Sequence, residues 1–210
     1  MKRKLLAVIV AIMVAVPTFA QYSSGGFRLD EENLYYGVRI GMNVSTINGD
    51  TQYFTSDGTK AGMTLGGVIG LRLSDTTPIF LESGLYYTEK GGKGDDTKQG
   101  SEKMNTTTSL NYLEIPVLVK YGFKANDDIA LLPFFGPYFD VAIGGKTAKH
   151  SAFNEGYFKR SDVGFKLGCG MEYNMLYLEL GYQFGLSNIS KSEDFSAHNG
   201  AFFANFGVNF

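Results

Sequence analysis

The chain has one cysteine, five prolines and, beyond residue 20, no long apolar run. The lone Cys169 excludes an intramolecular disulfide. The lack of a second apolar stretch excludes a membrane-spanning helix from the rest of the chain. Charge of either sign is not in excess: the formal net charge is −2, which argues against a nucleic-acid partner. What the chain does have is 27 glycines, 13 tyrosines and 17 phenylalanines. That much glycine and aromatic content, with few helix-type apolar runs, points to an all-β protein with tightly packed or strongly curved strands.

The first 20 residues read as a secretory signal peptide. Met1-Lys2-Arg3-Lys4 is basic, Leu5 to Val16 is uninterrupted apolar sequence, and small residues precede a cut expected between Ala20 and Gln21. The apolar run falls short of the roughly 20 residues a spanning helix needs. No cysteine stands at the cut, so a lipid anchor is not expected there. Residues 21–34 are polar and read as a loose periplasmic segment. Residues 35–210 are then one domain.

The end of the chain sets the pattern for the rest. Phe202, Ala204, Phe206, Val208 and Phe210 alternate with Phe203, Asn205, Gly207 and Asn209, the period-two signature of a strand. The same alternation recurs upstream. A first strand spans Tyr36 to Ile47, a second about Gly62 to Leu73, and a third starts at Pro78 and carries its alternation to Thr88. A fourth sets Leu113, Ile115, Val117, Val119, Tyr121 and Phe123 against Tyr112, Glu114, Pro116, Leu118, Lys120 and Gly122. A fifth covers about Ile129 to Gly144, with no clear register across Leu131-Leu132-Pro133-Phe134-Phe135. A sixth runs Ser161 to Tyr173, a tight turn is expected at Asn174, and a seventh sets Leu176, Leu178 and Leu180 against Tyr177, Glu179 and Gly181.

The connections alternate between long and short. Polar stretches at 48–61, 91–109, 145–159 and 188–200 are read as loops; Ser74–Thr77, Lys124–Asp128 and Asn174 are read as tight turns. Eight strands with short turns at one rim and long loops at the other describe an eight-stranded antiparallel up-and-down transmembrane β-barrel. Both termini then share the periplasmic rim. The composition of the two faces decides which one meets lipid. The face opposite the bulky side chains carries glycines and charges, which suits the inside of a narrow barrel better than a solvated surface. Tyr36, Tyr87, Tyr121, Phe123, Tyr173, Phe184, Phe202 and Phe210 fall near strand ends, where aromatic girdles belong.

The chain resembles the Bacteroidetes-type outer-membrane β-barrel family, the porin-like or PorT-like proteins. The resemblance rests on Gly37-Val38-Arg39-Ile40-Gly41-Met42-Asn43 and on Leu113-Glu114-Ile115-Pro116-Val117-Leu118-Val119-Lys120-Tyr121. Gly136-Pro137-Tyr138, Asp162-Val163-Gly164-Phe165 and Gly185-Leu186-Ser187-Asn188-Ile189 reinforce it. It implies a barrel in the bacterial outer membrane, and for some members a link to protein secretion. The ending at Phe206, Val208 and Phe210 also resembles the C-terminal signal by which such barrels engage the assembly machinery.

The residues expected to point into the lumen include Arg39, Arg72, Lys120 and Lys166, with Glu82, Glu114, Asp140, Asp162, Glu172 and Glu179. Buried charges left unpaired are costly, so these should pair. Two readings follow: an ion-pair plug, or a small gated pore or proton route. An enzyme is a third class, because His150 and His198 lie in expected loops near Ser151, Glu155, Asp194 and Ser196. No local motif supports a catalytic site. The loop tips Asn48-Gly49-Asp50 and Gly94-Asp95-Asp96 do not match a calcium loop, so neither a metal nor a cofactor is expected. The sequence reads best as a non-enzymatic outer-membrane barrel with a structural or interaction role. Its partners are membrane lipid, the assembly machinery and an extracellular or envelope protein held by the loops. A narrow porin or secretion-accessory barrel is the alternative, and an outer-membrane hydrolase with a rim histidine a distant one.

Overall fold

The computed structural model describes residues 33–51, 54–96, 104–126, 128–147, 150–153, 158–190 and 196–210. The expected signal peptide, its cut at Ala20 and Gln21, and residues 21–32 lie outside the described residues.

Eight long strands follow one another: β1 (Leu34–Thr51), β2 (Phe54–Arg72), β3 (Ile79–Asp96), β4 (Met104–Tyr121), β5 (Ile129–Thr147), β6 (Ser161–Tyr173), β7 (Leu176–Gly185) and β8 (Ala197–Asn209). Each pairs antiparallel with the next, and β1 pairs with β8, so the sheet closes on itself. Two-residue pieces at Phe123–Lys124 and His150–Ser151 extend the pairing of β5. The closing seam sets Val38 opposite Val208, Ile40 opposite Phe206 and Met42 opposite Ala204. The last strand therefore keeps no free ladder edge along this seam, which is what allows backbone polar groups to sit in hydrocarbon.

The alternation is inverted relative to a soluble barrel. Met42 is 63% exposed and Phe202 67%, whereas Arg39 and Glu82 are fully buried. An apolar wall around a charged interior is stable only where the wall meets lipid. Inside, the glycines make room for tyrosines. A side chain at Gly70 would collide with the ring of Tyr35, and one at Gly170 with Tyr177. The tight turn between β6 and β7 turns on Asn174, whose φ of 53° is left-handed.

The strands differ in length from the sequence expectation. β1 to β5 each run 18 or 19 residues, while β6, β7 and β8 run 13, 10 and 13. Much of 48–61 and 91–109, expected as loop, is strand: Asp50 pairs with Thr55, and Lys93 pairs with Thr107. The reason is that hydrophobic alternation reports burial, not pairing. Beyond the membrane the outward face of a strand is wet, and its inward face is filled here by Lys90, Gly92, Gly94 and Thr108, all buried, so the apolar alternation fades while backbone bonds hold the strand together. The fifth strand also resolves. Leu132 and Phe134 point inward while Leu131 and Phe135 point to lipid, so both faces are apolar there.

Candidate functional site

Apolar clusters fill the lumen at three levels. At the end bearing the short turns, Tyr35, Phe80, Ala130, Leu132 and Tyr177 belong to one cluster. At the opposite end, Ala152, Phe153, Phe158 and Ile189 pack on Ile47, Leu110 and Tyr112. Leu118, Phe134 and Phe203 form the third, with the rings of Phe134 and Phe203 stacked 6.3 Å apart.

Two sets of charges occupy the remaining space. In the first, Glu82 accepts from the Tyr35 hydroxyl at 2.7 Å, lies 2.8 Å from Lys120 Nζ and 3.7 Å from Arg39 Nη2. Arg39 also donates to Asn209 Oδ1 at 2.6 Å and sits 4.0 Å over the Tyr177 ring. Lys120 donates to the Tyr177 hydroxyl at 2.7 Å and lies 3.9 Å from Glu179. Glu179 accepts from Asn205 at 2.7 Å, and Glu172 from Asn209 at 3.0 Å.

The second set is centred on Glu114. It accepts from Lys90 at 3.0 Å, from Gln183 at 2.6 Å and from Lys166. Lys90 also donates to Asp140 at 2.6 Å and lies 4.4 Å over the Tyr138 ring. Asp162 is held by neutral donors, Ser187 at 2.6 Å and Asn199 at 2.7 Å. The two sets meet across the phenylalanine layer: Lys120 lies 5.4 Å over Phe134, and Lys166 lies 4.7 Å over Phe203.

Nine of the ten sequence-named lumen residues are brought into these sets. Arg72 continues the inward face of β2 beyond Val68 and Gly70, with its guanidinium 5.9 Å over the Phe80 ring. It stands at the short-turn rim, where Nε donates to the Ser74 carbonyl at 2.8 Å, because β2 ends there. Lys90 was missed. It continues the inward face of Glu82, Gly84, Tyr86 and Thr88, and was obscured only because the strand was expected to stop before Gly91.

At the far rim, Ser196 Oγ lies 3.0 Å from His198 Nε2. Asp194 and Glu155 lie outside the described residues. His198 Nδ1 has no hydrogen-bond partner among the described residues. His150 pairs through its backbone with Thr147. Among the described residues, no group of three or more His, Cys, Asp or Glu is arranged to hold a metal ion. Cys169 is exposed on the lipid-facing side of β6.

A closed eight-stranded antiparallel barrel with an apolar wall and a charged interior is an integral protein of the bacterial outer membrane. The chain belongs to the outer membrane protein beta-barrel domain family, whose model matches residues 19–191. No curated protein matches it. Among solved structures it is similar to the outer membrane protein OprG of Pseudomonas aeruginosa, with 11% identity and a TM-score of 0.51 over 88% of this chain and 99% of that one. It is also similar to Neisserial surface protein A, with 18% identity and a TM-score of 0.49 over 85% of this chain and 100% of that one. A third is the attachment invasion locus protein of Yersinia pestis, solved with the heparin analogue sucrose octasulfate, with 14% identity and a TM-score of 0.46 over 85% and 100%.

Proposed function

We propose that this protein is a non-enzymatic outer-membrane scaffold, of the Bacteroidetes porin-like or PorT-like type, that displays a binding surface outside the cell. The observation that carries the reading is the height of the wall. A tilted strand needs about 9–11 residues to cross the membrane. The 18–19 residues of β1 to β5 outrun that by several residues each, while β7, with 10, stays within it and β6 and β8, with 13, pass it only slightly. One side of the barrel therefore rises out of the bilayer as a continuous sheet, an ordered platform for an extracellular or envelope protein partner. The short turns and both termini face the periplasm in this reading. The ending at Phe206, Val208 and Phe210 serves the assembly machinery during biogenesis. The ion pairs of the lumen serve stability rather than transport, and a narrow porin or secretion-accessory barrel is the alternative they argue against.

The experiment is to shorten the β3–β4 hairpin by joining Lys93 to Thr107 through a two-residue turn. The expected result is a barrel that still shows heat-modifiable gel migration, with loss of partner capture from the cell surface. Capture unchanged by the truncation overturns the platform reading.

A further inference from the structure

Gly67 is a glycine that nothing among the described residues requires. At most other glycines described in the barrel, Gly144 excepted, a side chain would crowd a neighbour: at Gly37 it would lie 2.5 Å from Arg39, and at Gly84 it would lie 2.5 Å from the carbonyl of Gly67. At Gly67 the nearest atom is the Gly37 carbonyl oxygen at 3.8 Å, an ordinary contact, and the backbone is not in the left-handed region. Gly67 is exposed and faces outward, on the same side of β2 as Met63, Ile69 and Leu71. Its register partners across the two neighbouring strands are Val38 and Leu85.

The missing side chain opens a groove of about 510 Å³ in the lipid-facing wall, walled by Tyr36, Val38, Ile69, Leu85 and Phe210. The hydroxyl of Ser83, which also lines it, is committed to the Pro116 carbonyl at 2.8 Å, so the groove offers no hydrogen-bonding specificity of its own. Tyr36 and Phe210 stand at the short-turn rim, where aromatic side chains meet headgroups. The groove thus runs from the headgroup level into the hydrocarbon. Strands lie about 4.8 Å apart, so the walls at Val38 and Leu85 are roughly 10 Å apart. That width admits one hydrocarbon chain, and not a helix, which with its side chains measures about 10–12 Å.

We infer that this groove is a binding site for one acyl chain of a bilayer phospholipid, entering from the short-turn side. Glycine in a strand marks a place where something approaches the backbone closely. Here no part of the described chain approaches, and the wall faces lipid.

The test uses the full mature protein, folded in detergent and supplied with dioleoylphosphatidylethanolamine, and counts retained phospholipids by native mass spectrometry under rising activation. The wild type should hold one phospholipid after the others are stripped. Gly67→Leu, checked for heat-modifiable migration, should lower that one-lipid population at least tenfold, and Gly67→Ala by an intermediate factor. Leu85→Trp tests the same site with Gly67 intact, by projecting a ring over the groove from β3, and should give the same loss. Equal retention by wild type and folded variants overturns the inference. So does a wild type that is dimeric in the same spectra and becomes monomeric with Gly67→Leu, since a second copy then occupies the groove.

Discussion

Lys90 holds two carboxylates at once, Asp140 at 2.6 Å and Glu114 at 3.0 Å, and all three side chains are buried. Removing one partner from such a cluster leaves charge unpaired, a cost of about 3–5 kcal/mol. Lys90→Met should lower the unfolding free energy measured by urea titration by that order, and Lys90→Met combined with Asp140→Asn should recover part of the loss. Equal destabilisation by the single and double variants would mean that packing, not charge, decides. The sequence pattern makes this residue's environment legible only in part. Glu114, Lys120 and Lys166 sit in strands whose opposite face is strongly apolar, so their inward direction can be read. Lys90 lies just before Gly91-Gly92, where the apolar face fades and a strand is indistinguishable from a loop. The neutral partners Gln183, Asn199 and Ser187 come from strand and loop positions far away in sequence, and no local pattern announces which carboxylate each will meet.

At the scale of elements, turn chemistry was readable and strand length was not. β6 runs from Ser161 to Tyr173 as its alternation requires, and the turn that follows places Asn174 at a φ of 53°. A branched residue there would cost about 1–2 kcal/mol, since only glycine and, to a lesser degree, asparagine or aspartate adopt this region readily. Asn174→Val should therefore reduce stability in urea titrations by that amount, and Asn174→Gly should be neutral or stabilising. A harmless Asn174→Val would show that the β6–β7 turn adopts another conformation. The upper halves of β1 to β4 were illegible for the opposite reason. A strand that is wet outside and lined inside by residues such as Lys90, Gly92, Gly94 and Thr108 loses its apolar period-two signature and keeps only its backbone ladder, and backbone pairing leaves no trace in one sequence. Irregular register adds to this. β2 and β3 slip relative to each other between Ser56 and Gly58 and again between Thr59 and Thr64, and β4 and β5 slip at Asn111 and Tyr112.

For the whole molecule, the question is whether anything passes through it. Obstructions in series behave as the most resistant among them, so opening one does not open the path. The lumen has a cluster at each end, one containing Phe80 and Leu132, the other Phe153, Phe158 and Ile189. The stacked Phe134 and Phe203 add a third, with ion pairs packed against them. Eight strands enclose room only for side chains, and here side chains occupy it. The folded protein should therefore be silent in planar-bilayer conductance measurements. Phe134→Ala with Phe203→Ala should remain silent as well, while each substitution lowers stability by about 3–5 kcal/mol, the cost of emptying a buried aromatic site. Phe153→Ser with Phe158→Ser, which opens only the long-loop end, should also stay silent. Conductance should appear only when the barriers are removed together, and a barrel too unstable to refold would register as loss of heat-modifiable migration rather than as current. Discrete openings in the wild type would reverse this order: the charged sets around Glu82 and Glu114 would then be a path, the ends would be gates, and transport would displace surface display as the leading function.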